Sequence, residues 1–526
     1  MRAKSFVAVA IALLSIIYQQ GLLAATPPNF VIIYIDDLGW TNTSVLMDSR
    51  YPNTKQTFYE TPNIEELAKM GMRFSNAYAP ASVCTPSRKS IQIGKSPARI
   101  GYTYNGNPLN IKNRKSWADE TTLADVLKAS GQNYITALFG KGVHEPVAGF
   151  GYDVVDDQHG VNGNGGGEWY RKGVPVAPED PKQVYSLTEK SEQFIRDYAG
   201  KQPFFLMLSH YTVHSPLTST SAVFKKYEAK GAAFPKGDPR SEKKQQQMAA
   251  LIEEMDRSVG RVLDALEKAG VTDNTYIIFT SDNGGYISVA HDQLRGKKGN
   301  LFEDGLRVPM IVAGPNVPEG TQCDIPINHW DFLPTFHDLV DAKDPLPEDL
   351  DGGSLRSLFE QGNAGQVERT EEAFVFHMPY ARMPPVSAIR KGDYKLIRQL
   401  ITGEELLFDL ENDLSEKRDL AAQMPEMVAT LSNELDDYLE TVGAEDVQDV
   451  FEAQYKHIAE QMAAIEMKYA ELIEASSDDS EKIAKLSLAR DKQLESLRKF
   501  KEEKIDSSRI CTNFEGNPTG DFRESN

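Results

Sequence analysis

Cysteine is scarce in this chain: three residues in 526. That number excludes a small disulfide-stapled scaffold, and being odd it leaves at least one of Cys84, Cys323 and Cys511 outside any internal disulfide. An excess of positive charge is also missing. Against 77 Asp and Glu stand 57 Lys and Arg, a formal charge of −20, so the clustered cations that hold nucleic-acid phosphates are not there and no nucleic-acid partner is expected. No apolar run reaches the roughly 20 residues that a spanning helix needs, so no stable membrane insertion is expected. The longest run, residues 6–17, follows Arg2 and Lys4 and precedes the small residues of 21–25. This is the layout of a secretion signal over residues 1–25, and it predicts a secreted or periplasmic protein.

What is present is enough apolar sequence, 40% of residues, to bury a large core. The runs 30–35, 134–139, 204–208, 276–279 and 308–312 each end in polar or glycine-rich residues, as buried parallel strands do. Helical stretches at 63–70, 123–129 and 247–269 lie between them. The alternation predicts an α/β fold: a large domain with a central mixed, mostly parallel sheet flanked by helices, over 26–327. The Gly-rich stretch 160–167 reads as a surface loop. Shorter strand-like segments at 373–377, 387–390, 394–397 and 407–410 predict a smaller C-terminal α+β subdomain over 328–444. Within 445–526, Phe451, Tyr455, Ile458, Met462, Ile465, Tyr469 and Leu472 recur at alternating spacings of four and three. They form one helical stripe, and a second helical stretch bears Leu494, Leu497 and Phe500. An αα-hairpin is expected, packed on the body or on another copy, which makes a homo-oligomer through these helices an expectation too.

Ligands of such sheets gather at the carboxyl ends of the strands. Asp36-Asp37 follows the first strand and Asp282-Asn283 follows a later one. Adjacent carboxylates at a strand end repel each other, and oxygen donors of this kind suit a hard divalent ion, Ca²⁺ or Mg²⁺. A third element is Cys84-Thr85-Pro86-Ser87-Arg88. Thr85 as a cap and Pro86 at the first helical position predict a helix running to Ile93, with Cys84 at its N-terminus, where an anion is favoured. From these residues alone a reactive thiolate, a buried structural cysteine and a disulfide partner all remain open.

The pentapeptide resembles the C-[ST]-P-[SA]-R signature of the formylglycine-dependent, type I sulfatases of the alkaline phosphatase superfamily, in which the cysteine is oxidised to formylglycine. Segments 36–39, 61–68, 73–78, 281–285, 294–299, 303–309, 331–335, 351–355, 388–396 and 407–420 resemble the same family in the same order, so the likeness spans roughly residues 28 to 440. The resemblance implies that Asp36, Asp37, Asp282, Asn283 and modified Cys84 bind the metal, most often Ca²⁺. It implies that Arg88 braces the formylglycine, that Lys141 and Lys298 are the family's two lysines, and that His214 faces the leaving group. The family has one residue between the first lysine and its histidine, whereas Gly142-Val143 separates Lys141 from His144. His291 is a further candidate for sugar contact.

The mechanism so implied has one hydroxyl of the formylglycine hydrate attack sulfur with Asp282 as base and His214 as acid. The other hydroxyl then loses its proton, His144 being the candidate acceptor, and sulfate leaves as the aldehyde reforms. The expected activity is sulfate removal from a sulfated carbohydrate or an aryl sulfate, after maturation by a formylglycine-generating or anaerobic enzyme. The alternatives are a phosphate or phosphonate monoester hydrolase of the same superfamily and a non-catalytic sulfated-glycan binding protein.

Overall fold

A computed structural model describes residues 26–104, 119–143, 150–156, 177–231, 239–286, 294–380 and 385–502. The expected signal 1–25, the glycine-rich stretch 160–167 and Cys511 lie outside the described residues.

The first strand, β1 (Asn29–Ile35), is buried at every position. Val31, Ile33 and Ile35 enter the core on one face, and Phe30, Ile32 and Tyr34 enter the core on the other. A strand apolar on both sides needs cover on both sides, and it receives it. The remaining strands of the main sheet are β2 (Met72–Phe74), β4 (Ile135–Gly140), β5 (Val154–Val155), β6 (Phe204–Ser209), β7 (Thr275–Ser281), β8 (Met310–Ala313) and β9 (Thr321–Cys323), with β3 (Ala77–Tyr78) and β10 (Ile327–Asn328) forming a separate pair. The eight strands lie in the order β5-β4-β6-β1-β7-β8-β2-β9.

Every neighbouring pair is parallel except those made by β8, which runs antiparallel to both β7 and β2. The run 308–312, grouped above with the parallel strands, is thus the one reversed strand; an apolar run records burial but not direction. One face is covered by α1 (Pro62–Met70), α4 (Val184–Tyr198), α5 (Ser221–Lys230) and α6 (Pro239–Lys268), through Leu67, Phe194, Tyr227 and Met255 among others. The opposite face is covered by α2 (Cys84–Ile93), α3 (Leu123–Ala129), α8 (Phe332–Leu339) and α9 (Arg356–Gln361).

A second sheet, β11 (Phe374–Met378), β12 (Val386–Lys391), β13 (Tyr394–Gln399) and β14 (Glu405–Asp409), is an antiparallel meander. Leu431, Leu435 and Tyr438 of α10 (Pro425–Val442) pack on its Val375, Ile389, Leu396 and Leu407. The short α7 (Glu303–Leu306) lies under the other face, where Leu306 meets Phe374, Phe376 and Phe408. Two long helices follow, α11 (Val447–Glu474) and α12 (Ser480–Phe500). The stripe of α11 is used within the chain: Phe451 and Ile458 are buried with Ile401, Tyr455, Met462 and Leu497, while Leu472 is exposed. Among the described residues no helix is long and apolar enough to cross a membrane.

Candidate active site

Register decides where the acids meet. Ile35 pairs with Ser281 at the ends of β1 and β7, so Asp36 and Asp282 leave the sheet side by side. The Asp282 N–H donates to the Ile35 carbonyl at 2.9 Å and the Asp37 N–H to Asp282 Oδ1 at 3.1 Å. Gly140 pairs with Ser209 at the ends of β4 and β6, which brings Lys141 to the same edge, its N–H donating to the Ser209 carbonyl at 2.7 Å. Gly140 has φ 96, and a Cβ there would stand 2.0 Å from the Ser209 oxygen. Only glycine lets the two strand ends approach this closely.

The helix α2 starts at Cys84, with Val83 as its N-cap and no side-chain cap, not after Thr85 as the sequence suggested. Pro86 therefore sits inside the first turn, where a missing N–H leaves no helical bond unmade. Cys84, 3% exposed, stands at the end of the helix where free N–H groups collect. Arg88 lies one turn further on the same face. Its Nε donates to Asp282 Oδ2 at 2.7 Å, and its Nη1 to the Lys141 carbonyl at 2.9 Å and to Ser209 Oγ at 2.5 Å. The guanidinium lies over the Tyr34 ring, 5.0 Å from its centre.

Lys141 pairs with Asp36, and Lys298 pairs with Asp37 Oδ1 at 2.6 Å. Asn283 Nδ2 also donates to that oxygen, at 2.9 Å. Burial pushes the Asp282 carboxyl up to about 7 against the pull of Arg88. Burial also opposes the charge of Asp36, but Lys141 leads the cations that overcome it and hold that carboxyl well below the usual range. Burial likewise opposes the charge of Lys298, and Asp37 reverses the effect, raising its pKa. His214 stands at the rim, 17% exposed, with Nε2 3.8 Å from Asp37 Oδ2 and Nδ1 2.6 Å from the Ser215 carbonyl. Burial, and then Lys298, push its pKa down to about 3.

Four buried polar atoms of this cluster have no hydrogen-bond partner: Asp36 Oδ1, Asp37 Oδ2, Asn283 Oδ1 and Arg88 Nη2. Buried polar atoms are nearly always satisfied; three orphaned oxygens together fit a hard cation that accepts oxygen ligands. Ligand atoms of Asp36, Cys84 and Asp282 lie within 4.8 Å of one another, as do those of Asp36, Asp37 and His214.

The family model for sulfatases matches residues 28–342. The chain belongs to the sulfatase family. It is a sulfatase of type I, an enzyme of sulfate ester hydrolysis, and a second family model, for the C-terminal part of N-sulphoglucosamine sulphohydrolase, matches residues 296–443. A sulfatase of Formosa agariphila is 29% identical to it over 493 residues, covering 76% of this chain and 85% of that one. Human arylsulfatase A is 29% identical over 416 residues, covering 71% and 75%. The crystal structure of Ps i-CgsB in complex with k-i-k-neocarrahexaose superposes with a TM-score of 0.62 at 25% identity, covering 79% of this chain and 93% of that one.

Within this sulfatase Asp36, Asp37, Cys84, Arg88, Lys141, Asp282, Asn283 and Lys298 stand in one cluster, with His214 at its rim. His144 and His291 lie outside the described residues. Three residues of the cluster have no signal in the sequence. Ser209 ties Arg88 to the Lys141 carbonyl, and Tyr34 is the floor beneath Arg88. Lys182, 1% exposed, is pushed down to about 7 by burial and by Lys141, against Asp36 and Asp37. It is a lone lysine before α4, and only the folded chain brings it near the acids.

Proposed function

We propose that this sulfatase removes sulfate from a sulfated carbohydrate outside the cytoplasm, with Cys84 oxidised to formylglycine by a maturation enzyme and Ca²⁺ (or Mg²⁺) held by Asp36, Asp37, Asp282 and Asn283 with the modified residue 84. The observation that carries it is the set of buried oxygens without a hydrogen bond in the cluster that includes Cys84, with Arg88 Nη2 likewise making none. The oligosaccharide bound to Ps i-CgsB supports a carbohydrate substrate, and the residue pattern of 1–25 supports export.

When bound, the metal supplies positive charge for the sulfuryl oxygens and the formylglycine hydrate supplies the attacking hydroxyl and a second one that expels sulfate. The chain's own residues do the rest. Arg88 is fixed by three acceptors, so its spare Nη2 donates to an oxygen of residue 84 or of the sulfuryl group with no reorganisation. Lys141 and Lys298 add fixed charge on either side. Asp282, raised by burial to about 7, takes the proton of the attacking hydroxyl. With Nδ1–H given to the Ser215 carbonyl, His214 turns Nε2 to the leaving oxygen and, once the ring carries a proton on both nitrogens, gives the Nε2 proton to it. The incoming anion offsets the push of Lys298 on that ring.

Mass spectrometry of the peptide spanning Cys84, from protein made with a maturation system, tests the first step: an aldehyde is expected, and fully active protein with only a thiol overturns it. Sulfate release from a panel of sulfated oligosaccharides, beside nitrophenyl sulfate and nitrophenyl phosphate, tests the substrate class. Faster turnover of the phosphate would turn the assignment to the phosphate or phosphonate hydrolases. Self-association is supported by Met467, Leu472, Leu488 and Phe500, exposed on the terminal helices. Replacing all four by Glu lowers the mass in solution if they join two copies.

A further inference from the structure

The segment bearing Lys298 is held from two sides. Toward the site, the Lys298 N–H donates to the Gly285 carbonyl at 2.8 Å and the Gly299 N–H to the Ser82 carbonyl at 2.7 Å. Away from it, the segment is tied to the small sheet and the turn that follows it. Arg295, lying 4.0 Å over the Phe302 ring, donates to the Glu416 carbonyl at 3.1 Å. The Glu303 N–H donates to Glu416 Oε2 at 2.7 Å.

Behind these bonds lies a second cluster of buried charge. Lys395 of β13 pairs with Glu303 Oε1 and with Glu416 Oε1, both at 2.9 Å. Glu303 Oε2 accepts from Arg307 Nε at 2.8 Å and from the Tyr78 hydroxyl at 2.7 Å. Lys395, Glu303 and Glu416 are all 0% exposed, next to an apolar layer that includes Leu306, Phe374 and Phe408. Well-packed apolar residues would serve stability as well or better there. What ions add is a demand for one geometry, since any shift leaves a charge unpaired in an apolar place.

We propose that Lys395 is a positioning residue for Lys298: by fixing Glu303 and Glu416 it fixes segment 294–306, and so holds the Lys298 ammonium beside Asp37. The inference rests on Lys298 acting at the sulfuryl group. A double-mutant cycle with nitrophenyl sulfate tests it. Lys395→Met is expected to lower kcat by about 10- to 100-fold, the scale of a small misplacement transmitted from outside the site, and Lys395→Arg to recover most of it. In a Lys298→Ala background the same substitution should change kcat less than about twofold, because the group it positions is gone. Full multiplication of the two effects, or an unchanged kcat in folded Lys395→Met, overturns the proposal. If Lys395→Met does not fold, Arg295→Ala, which releases the segment from the Glu416 carbonyl, takes its place in the cycle with the same outcomes. Hydrogen exchange of the amides of residues 296–303 gives a readout independent of activity. Faster exchange in the variant supports the tether even if the wild-type chain releases no sulfate, a result that would refute the proposed reaction instead; unchanged exchange refutes the tether.

Discussion

Two of the clusters of buried ions among the described residues differ in how their atoms are bonded. Around Glu303 the counter-charges converge: Lys395 lies 2.9 Å from Glu303 and from Glu416, and Arg307 and Tyr78 close on Glu303, with Glu416 Oε1 and nearby Arg390 Nε the atoms that lack a hydrogen bond. Around Asp36 the ions are also buried and paired, yet three oxygens and one guanidinium nitrogen lack a hydrogen bond. Burial of charge is common to both. Three oxygens without a hydrogen bond in one cluster mark a place where a ligand is received, whereas acids that each face a cation at 2.9 Å form a brace that holds the chain together.

The comparison can be broken in order of effect. Cys84→Ser should lower the rate of sulfate release by about 10³-fold or more, the scale of losing a nucleophile, while the melting temperature barely moves; a matching fall in stability would blur the distinction. Glu303→Gln should do the reverse in kind, costing about 3–5 kcal/mol in denaturant titrations because it takes the paired carboxylate from buried Arg307 and leaves Lys395 only Glu416. Ca²⁺ should raise the melting temperature by binding only the folded state, about 2.7 kcal/mol at a hundredfold excess over Kd. Asp37→Asn should abolish that rise, and its persistence would move the metal elsewhere.

The smallest effect concerns neutral groups outside both clusters. Burial pushes His210 and His329 down to about 3 and His377 down to about 4. Depressed histidines contribute stability that is present above their ordinary value of about 6.5 and is lost as pH falls below it, because only the unfolded chain then takes up the proton. The melting temperature should therefore drop from pH 6.5 toward pH 4, less steeply in His377→Gln; equal slopes would exclude that residue as a source.

Much of the main cluster was legible because its members are local to element ends. Asp36 and Asp282 each follow an apolar strand by one residue and Cys84 opens a helix, so those three drew notice from the residues themselves; Lys141 also follows a strand, but it was singled out only by the family resemblance, as were Arg88, Lys298 and His214. Ser209, Tyr34 and Lys182 were not legible, since each acts on residues distant in sequence and none carries a local pattern. The same limit applies to the fold. The runs of β1, β6 and β7 announced themselves by burial on both faces, whereas β2 and β9 are three residues each, and the reversal of β8 depends on the connections rather than on its own sequence. The helix α4 is amphipathic, with Val184, Leu187, Ser191, Phe194 and Ile195 buried. Its periodicity was there to find but was not among the helical stretches read from the sequence, and it follows the Gly-rich stretch 160–167, which read as loop.

The Glu303–Lys395 pair links the two sheets, since Glu303 belongs to α7, which leads into β8 of the large sheet, and Lys395 to β13 of the small one. Pulling the halves apart would leave opposite charges facing apolar walls, so the two should melt in a single calorimetric transition. A chimera taking its small sheet from a relative would inherit this lock only if the donor supplied a lysine at 395 and a glutamate at 416; otherwise its two halves would unfold one after the other.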